Sequence, residues 1–327
     1  MNHKSFPEAA YRLEIERLTQ VLAARKKRKD FIALARFAVV ILLAVSVYLL
    51  YPLGISYAAL AGLVLVAIFI RLVILAANNT AAIENAQRLM AINKDEIGIA
   101  AGRYLHRPDG HMFSLPAHGY AGDLDIFGAA SLYQYINRTT AEQGRQQLAD
   151  WLLALADAAT IAARQAAVQA LAPQYQWRQQ LQAYGHEQTI TIGTEQKIAQ
   201  WIGEADTFSN SRGWKALRWV YPVIAVGTLL LYITDFISGQ LFFGAYLVFF
   251  LISGYVSRKV ALQYIHLNKI VPEVESLSKA AAWIEQLQAP AAYLQEIQKA
   301  FTDGRYRSSA SIRQLKGILD KFDMNLN

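Results

Sequence analysis

The sequence predicts a mainly α-helical membrane protein in which two transmembrane helical hairpins flank a cytoplasmic helical domain. Three observations predict it. Hydrophobic residues make up 54% of the 327-residue chain and the mean hydropathy is +0.19, both high for a soluble protein. The excess is concentrated in two pairs of apolar blocks, each pair joined by a turn without Lys or Arg and flanked by cations. Between the pairs, apolar residues recur at helical spacing among residues that cap helices.

Residues 1–30 form a basic amphipathic helix, with Leu13, Leu18, Val21 and Leu22 among charges and a run Arg25-Lys26-Lys27-Arg28-Lys29 at its end. The apolar run that follows is too long for a cleaved leader, and a second one follows at once. Residues 31–77 are the first hairpin. Phe31 to Leu50 carries only Arg36 as a charge, Tyr51 to Ser56 turns the chain, and Tyr57 to Ala77 returns with Arg71 near its inner end. Residues 215–257 are the second hairpin, with arms Trp219 to Ile233 and Leu241 to Val256, each somewhat short for a crossing. The cations Arg25 to Lys29, Lys215, Arg218, Arg258 and Lys259 all lie on one side of the two turns. By the positive-inside rule both termini and the middle domain face the cytoplasm of a multi-pass inner-membrane protein.

Residues 78–214 are the cytoplasmic domain. Asn78 to Asn93 continues as helix, and Lys94 to Gly122 is broken by Gly98, Gly102, Pro108, Gly110, Pro116 and Gly119. His106, His111 and His118 lie there near Asp109, but their spacing fits no common zinc pattern, so they read as loop histidines. Three short helices are then expected. Gly128 precedes the apolar face Leu132, Tyr135, Ile136; Thr140 caps the next helix, with Gln143 three residues on and Leu148, Trp151, Leu152 and Leu155 on one side; Asp157 caps the third, which carries Ile161, Val168 and Leu171 to Pro173. Gln174 to Tyr184 and Thr194 to Gly203 read as helices with Gly185 as a C-cap between them, and Trp177 and Trp201 as core or interface aromatics. Residues 258–327 are C-terminal helices: one leaves the membrane from Ser257 to Leu287, and a last one is capped by Ser308 or Ser309.

One stretch has more than periodicity. Ile126-Phe127-Gly128, Ser131-Leu132, Asn137-Arg138-Thr139-Thr140, Gly144, Leu148, Trp151-Leu152, Asp157, Ile161, Arg164-Gln165, Ala167-Val168 and Leu171 follow one another in an order and spacing that resembles the core domain of the MutS mismatch-repair ATPase family. Ala154-Leu155 stands where that family has Pro-Leu, and the likeness covers about a sixth of the chain. The resemblance makes the middle a MutS-core-like domain, and implies a scaffold or lever that passes nucleotide-driven movement to DNA-handling parts. It further implies DNA, an ATPase domain or subunit, and a second copy in a homodimer as partners beside the lipid bilayer. Phe127, Gly128, Asn137, Arg138, Thr139, Thr140, Gly144, Trp151, Arg164 and Gln165 are then structural residues of the core, with Arg138 and Arg164 holding helix ends and loop carbonyls.

The sequence contains no catalytic constellation. A phosphate cradle needs GxxxxGK followed by Ser or Thr, and no such run occurs; nor does HExxH, GxSxG or a dinucleotide fingerprint. No cofactor is expected for this chain, and ATP and Mg are implied only for an ATPase outside it. The absence of cysteine removes disulfides and thiolate chemistry. Two other functions are compatible with the sequence: a membrane assembly protein using the core for protein contacts alone, and a transporter, which the lack of midplane ionisable residues disfavours.

Overall fold

The computed structural model describes residues 5–115, 117–196, 212–233, 236–264, 271–304 and 307–323, and all the regular structure among them is helical. The chain divides into two compact units, Met1–Thr189 with Gln288–Glu296, and Ile190–Leu287 with Ile297–Asn327.

The first unit is built on two helices of 46 residues, α1 (Ser5–Leu50) and α2 (Ile55–Ala100), each about 69 Å long at 1.5 Å per residue. The turn between them is a short 3-10 segment, Tyr51–Leu53, in which Pro52 presets the backbone, followed by Gly54 at φ 137°, a conformation that side chains other than glycine's rarely tolerate. The helices pack antiparallel. Gly62 faces Leu43, and the Asn79 side-chain amide donates to the Arg25 carbonyl at 2.9 Å, so both ends of the paired region keep one register. Both helices are long and apolar enough to cross a membrane. In the most apolar 18 residues of each, only 6% are buried, and Phe31, Leu34, Phe37, Tyr48, Leu60 and Leu63 point outward.

Neither helix stops where its apolar stretch does. The expected break at Lys94 is absent: α2 runs through Gly98 to Ala100 and ends only at Gly102, with φ +80°. Glycine inside a helix costs only about 1 kcal/mol, which the packing of Ile92 and Ile99 offsets. Four short helices gather at this end: α3 (Leu132–Ile136), α4 (Glu142–Leu153), α5 (Ala158–Leu171) and α6 (Tyr175–Gly185). Their buried positions are Tyr133, Gln134, Ala149, Ala167, Gln179 and Ala183. The expected apolar faces are therefore corrected. Leu132, Tyr135, Trp151, Ile161 and Val168 are exposed, and Leu155 is 90% exposed. Alanine at the contacts lets the helix backbones come close, and the larger side chains are left outside.

In the second unit, α7 (Arg212–Ile233) and α8 (Gly239–Tyr264) pack antiparallel. The Tyr221 hydroxyl donates to the Phe249 carbonyl at 2.8 Å, the Tyr246 hydroxyl to the Ala225 carbonyl at 3.2 Å, and Tyr232 stacks on Phe242. Their apolar parts, Val220–Tyr232 and Gly239–Tyr255, are short against the roughly 20 residues a crossing needs. α9 (Val271–Glu285) packs on α11 (Ser308–Asp323), while α10 (Ala292–Thr302) lies between them in the chain. The start of α11 is capped by another helix: Glu285 accepts from the Ser309 amide at 2.7 Å and its hydroxyl at 2.6 Å. The Gln298 amide donates to the carbonyls of Ile284, Glu285 and Leu287 and closes the end of α9. Trp201, and the helix expected from Thr194 to Gly203 beyond residue 196, lie outside the described residues.

Candidate functional site

The candidate site is the segment that carries the motif residues, and its geometry begins in the loop before α3. Gln134, 2% exposed, is fully used: its amide donates to the carbonyls of Leu105 and Arg107, at 3.1 and 2.7 Å, and its oxygen accepts from the Ala130 amide at 2.8 Å. Ser131 caps α3 by accepting from the Gln134 amide. Gly128, at φ +102°, donates to the Asp109 carbonyl at 2.9 Å. Gly110 lies against the ring of Tyr133, where a Cβ would come within 2.6 Å of a ring carbon. Phe127 completes an aromatic cluster with Phe113 and Tyr133, at centroid distances of 6.1 and 5.5 Å. Burial pushes the Tyr133 hydroxyl above its ordinary pKa, and that hydroxyl has no hydrogen-bond partner among the described residues. Gln134 was missed in the sequence because a glutamine inside a five-residue helix gives no periodic signal.

The run Asn137-Arg138-Thr139-Thr140 ties this loop to the long helices. The Asn137 side chain accepts from the Thr139 amide and hydroxyl, at 2.9 and 2.7 Å, closing a turn on itself. Arg138 grips Glu96 near the end of α2 with one edge of its guanidinium, Nε to Oε1 at 2.5 Å and Nη2 to Oε2 at 3.0 Å, and donates from Nη1 to the Tyr135 carbonyl at 2.6 Å. Arg107 donates to the Asn137 carbonyl and pairs with Asp95 at 3.3 Å; burial and the neighbouring Arg138 lower its pKa. Thr140 does not cap α4. That helix starts at Glu142 with Ala141 at the cap position, and Thr140 instead packs on Gly185 at the end of α6. A Cβ on Gly185 would lie 1.9 Å from the Thr140 hydroxyl and 2.7 Å from its Cβ, so the glycine is there for close approach more than for a C-cap. Gly144 sits against Thr139, at distances that ordinary contact allows.

Asp157 caps α5 as its position predicts. It accepts from the Thr160 amide and hydroxyl, both at 2.8 Å, which holds its carboxyl below the usual pKa. Arg164 reaches no loop carbonyl among the described residues. Its guanidinium lies 4.1 Å from the centre of the Trp151 ring, joining α4 to α5 by a cation–π contact. Gln165 is exposed on α5.

α6 is held to α2 by two reciprocal amide pairs, Asn85 with Gln180 and Asn93 with Gln179, each of two hydrogen bonds at 3.0–3.1 Å. Between α1, the end of α2, the 138–144 segment and α6 is a cleft of about 340 Å³. Tyr11, Glu96, Arg138, Thr140, Tyr175 and Arg178 line it. Glu96 neutralises Arg138, and Arg178 donates to the Leu171 and Ala172 carbonyls at the end of α5. Burial, together with the Glu96 carboxylate, raises the pKa of Tyr11. The lining offers hydroxyls and guanidinium groups that can bind. Of the loop histidines, His106 pairs with Asp95 at 2.8 Å and His118 meets the Leu153 carbonyl at 3.0 Å. Among the described residues no group of three His, Cys, Asp or Glu could hold a metal ion.

No family model, no curated protein and no solved structure matches the chain.

Proposed function

We propose that the chain is a membrane-anchored, MutS-like scaffold in which the helical motif segment acts as a lever, coupling an ATPase domain outside this sequence to DNA or to a protein partner. By the same resemblance it works as a homodimer; the apolar runs and the positive-inside rule give it four crossings, with both termini and the middle domain in the cytoplasm. The observation that carries the reading is the unbroken course of α1 and α2. One end of this helix pair presents an apolar surface with almost nothing packed on it, more than a water-soluble hairpin leaves open. The other end is gripped by the motif through Arg138 on Glu96 and by α6 through the two amide pairs. A displacement of the motif segment is therefore carried along stiff helices toward the bilayer.

A second reading has its own support. The exposed side chains Trp151 on α4, Leu155 in the turn after it, and Ile161 and Val168 on α5 favour an assembly protein that uses this domain for protein contacts alone. The two are separated by purifying membrane complexes of the chain and assaying ATPase activity, and by reading the coding sequence beyond Asn327 for a GxxxxGK[ST] run. An associated P-loop ATPase whose turnover changes when Arg138 is replaced supports the lever. Complexes without any ATPase leave the assembly reading.

A further inference from the structure

The register of α1 against α2 concentrates the charge of the chain in one place. With Asn79 bonded to Arg25 and Gly62 facing Leu43, Arg71 lies level with Ala33 and Arg36 level with Ile68. The two arginine positions thus differ in height by about 5 Å, and Arg36 lies about 10 Å beyond Lys29 along α1. Between the level of Arg25 and that of Arg36, the helix pair carries seven cations, Arg25 to Lys29 with Arg36 and Arg71, and one carboxylate, Asp30. The chain has 32 Lys and Arg against 25 Asp and Glu; taking away these seven and one leaves 25 against 24. Nearly all of the net charge of +7 therefore belongs to this band.

Among the described residues none of the seven forms an ion pair with an acidic side chain, although exposed arginines elsewhere in α1, Arg12 and Arg17, are paired with Glu8 and Glu14. Lys26 to Lys29 and Arg71 are exposed. The band is also set at the edge of the outward-facing apolar surface, with Phe31, Leu34 and Phe37 interleaved among its cations. Five of its charges stand outside the apolar stretch, and Arg36 and Arg71 stand inside it, where a guanidinium must reach back toward the boundary.

We propose that this band is a binding surface for anionic phospholipid headgroups, with Arg36 and Arg71 holding the phosphates from the acyl side and Arg25 to Lys29 from the water side. The inference rests on the membrane reading above and adds a lipid preference to it. A nucleic-acid duplex would suit the five-cation run alone but could not approach Arg36 and Arg71 through the apolar stretch. A cation near an anionic membrane surface improves binding about fivefold. The band is rigid because it lies on two packed helices rather than on a tail, so little ordering is needed on contact.

The test uses the full chain made by cell-free synthesis in the presence of vesicles, either pure phosphatidylcholine or phosphatidylcholine with phosphatidylglycerol, followed by flotation. Incorporation into both, several-fold higher with phosphatidylglycerol and reduced toward the neutral-vesicle level in 1 M salt, where screening acts within about 3 Å, is the expected result. Arg36→Gln with Arg71→Gln, and separately Lys26→Gln with Lys27→Gln, should each remove most of the preference while leaving flotation with neutral vesicles unchanged. Equal incorporation into the two vesicle types, or a preference that both double variants keep, overturns the lipid surface and leaves the membrane reading standing. Salt-sensitive duplex DNA binding that the Lys26/Lys27 variant loses, without any vesicle preference, would assign the band to nucleic acid and also overturns it. No flotation with either vesicle overturns the membrane reading and this inference together.

Discussion

Asn93 of α2 and Gln179 of α6 exchange two hydrogen bonds of 3.0 Å through their side-chain amides, and the pair is closed off from water, with Asn93 0% and Gln179 6% exposed. Two amides facing each other in this way satisfy one donor and one acceptor apiece. Neither could stay buried alone, because an unpaired polar group inside a protein costs about 1–3 kcal/mol. Gln179→Leu should therefore lower the melting temperature of the chain in detergent, by an amount corresponding to about 1–3 kcal/mol. Asn93→Leu together with Gln179→Leu should recover part of that loss. A double variant less stable than the sum of the two single ones would show that the pair is not an isolated unit.

Gly185 and Thr140 make a second contact that can be checked by substitution. Gly185→Ala puts a methyl group into the Thr140 side chain and should destabilise the fold by about 1–3 kcal/mol. Adding Thr140→Gly removes the obstacle. If thermal melting shows no gain on combining the two, the close approach of α6 to this segment is wrong.

For Arg138 the fork geometry is the point at issue. Arg138→Ala leaves Glu96 partly buried without its partner and should lower stability by about 1–3 kcal/mol. Arg138→Lys should recover little of it, because an ammonium cannot bridge both carboxylate oxygens and the Tyr135 carbonyl together. An unchanged melting curve accompanied by loss of salt-sensitive DNA binding would assign Arg138 to DNA contact instead.

Topology follows from the charges. Reporter fusions at Gly54 and Ser238 should read as outside, and fusions at Gly110 and Asn327 as cytoplasmic. A cytoplasmic signal at Ser238 would mean that α7 and α8 do not cross.

Glu275 supplies a pH test. Lys316 at 2.8 Å, and Lys279 at 3.0 Å, hold its carboxyl below the ordinary value, and the Lys316 contact joins α9 to α11. A carboxyl depressed in the folded state contributes stability that is present above its unfolded pKa, near 4.5, and is lost as the pH falls through the folded value. The melting temperature should therefore drop on acidification below about pH 4.5, and less steeply in Glu275→Gln than in the unaltered chain. Identical slopes in the two proteins would remove Glu275 as the cause.

The sequence by itself determined the helical class, a turn within Tyr51 to Ser56, which the structure confines to Tyr51–Gly54, the apolar lengths of α1 and α2 and the cap at Asp157. Each of these is written in neighbouring residues: an apolar run of sufficient length, a proline before a glycine, an aspartate three residues before the amide it accepts from. What only the tertiary structure decided is which face of each short helix is inside. Hydrophobicity pointed to Leu132, Trp151, Leu155 and Val168, yet the buried positions are Tyr133, Gln134, Ala149 and Ala167. Small and polar residues are buried when a partner backbone comes close or supplies the matching donors, and that partner is tens of residues away in the chain. The same holds for Thr140, whose place beside Gly185 a local rule had replaced with a cap, and for Arg36 and Arg71. In sequence these are two isolated charges 35 residues apart; the antiparallel register of two 46-residue helices brings them within about 5 Å of one height.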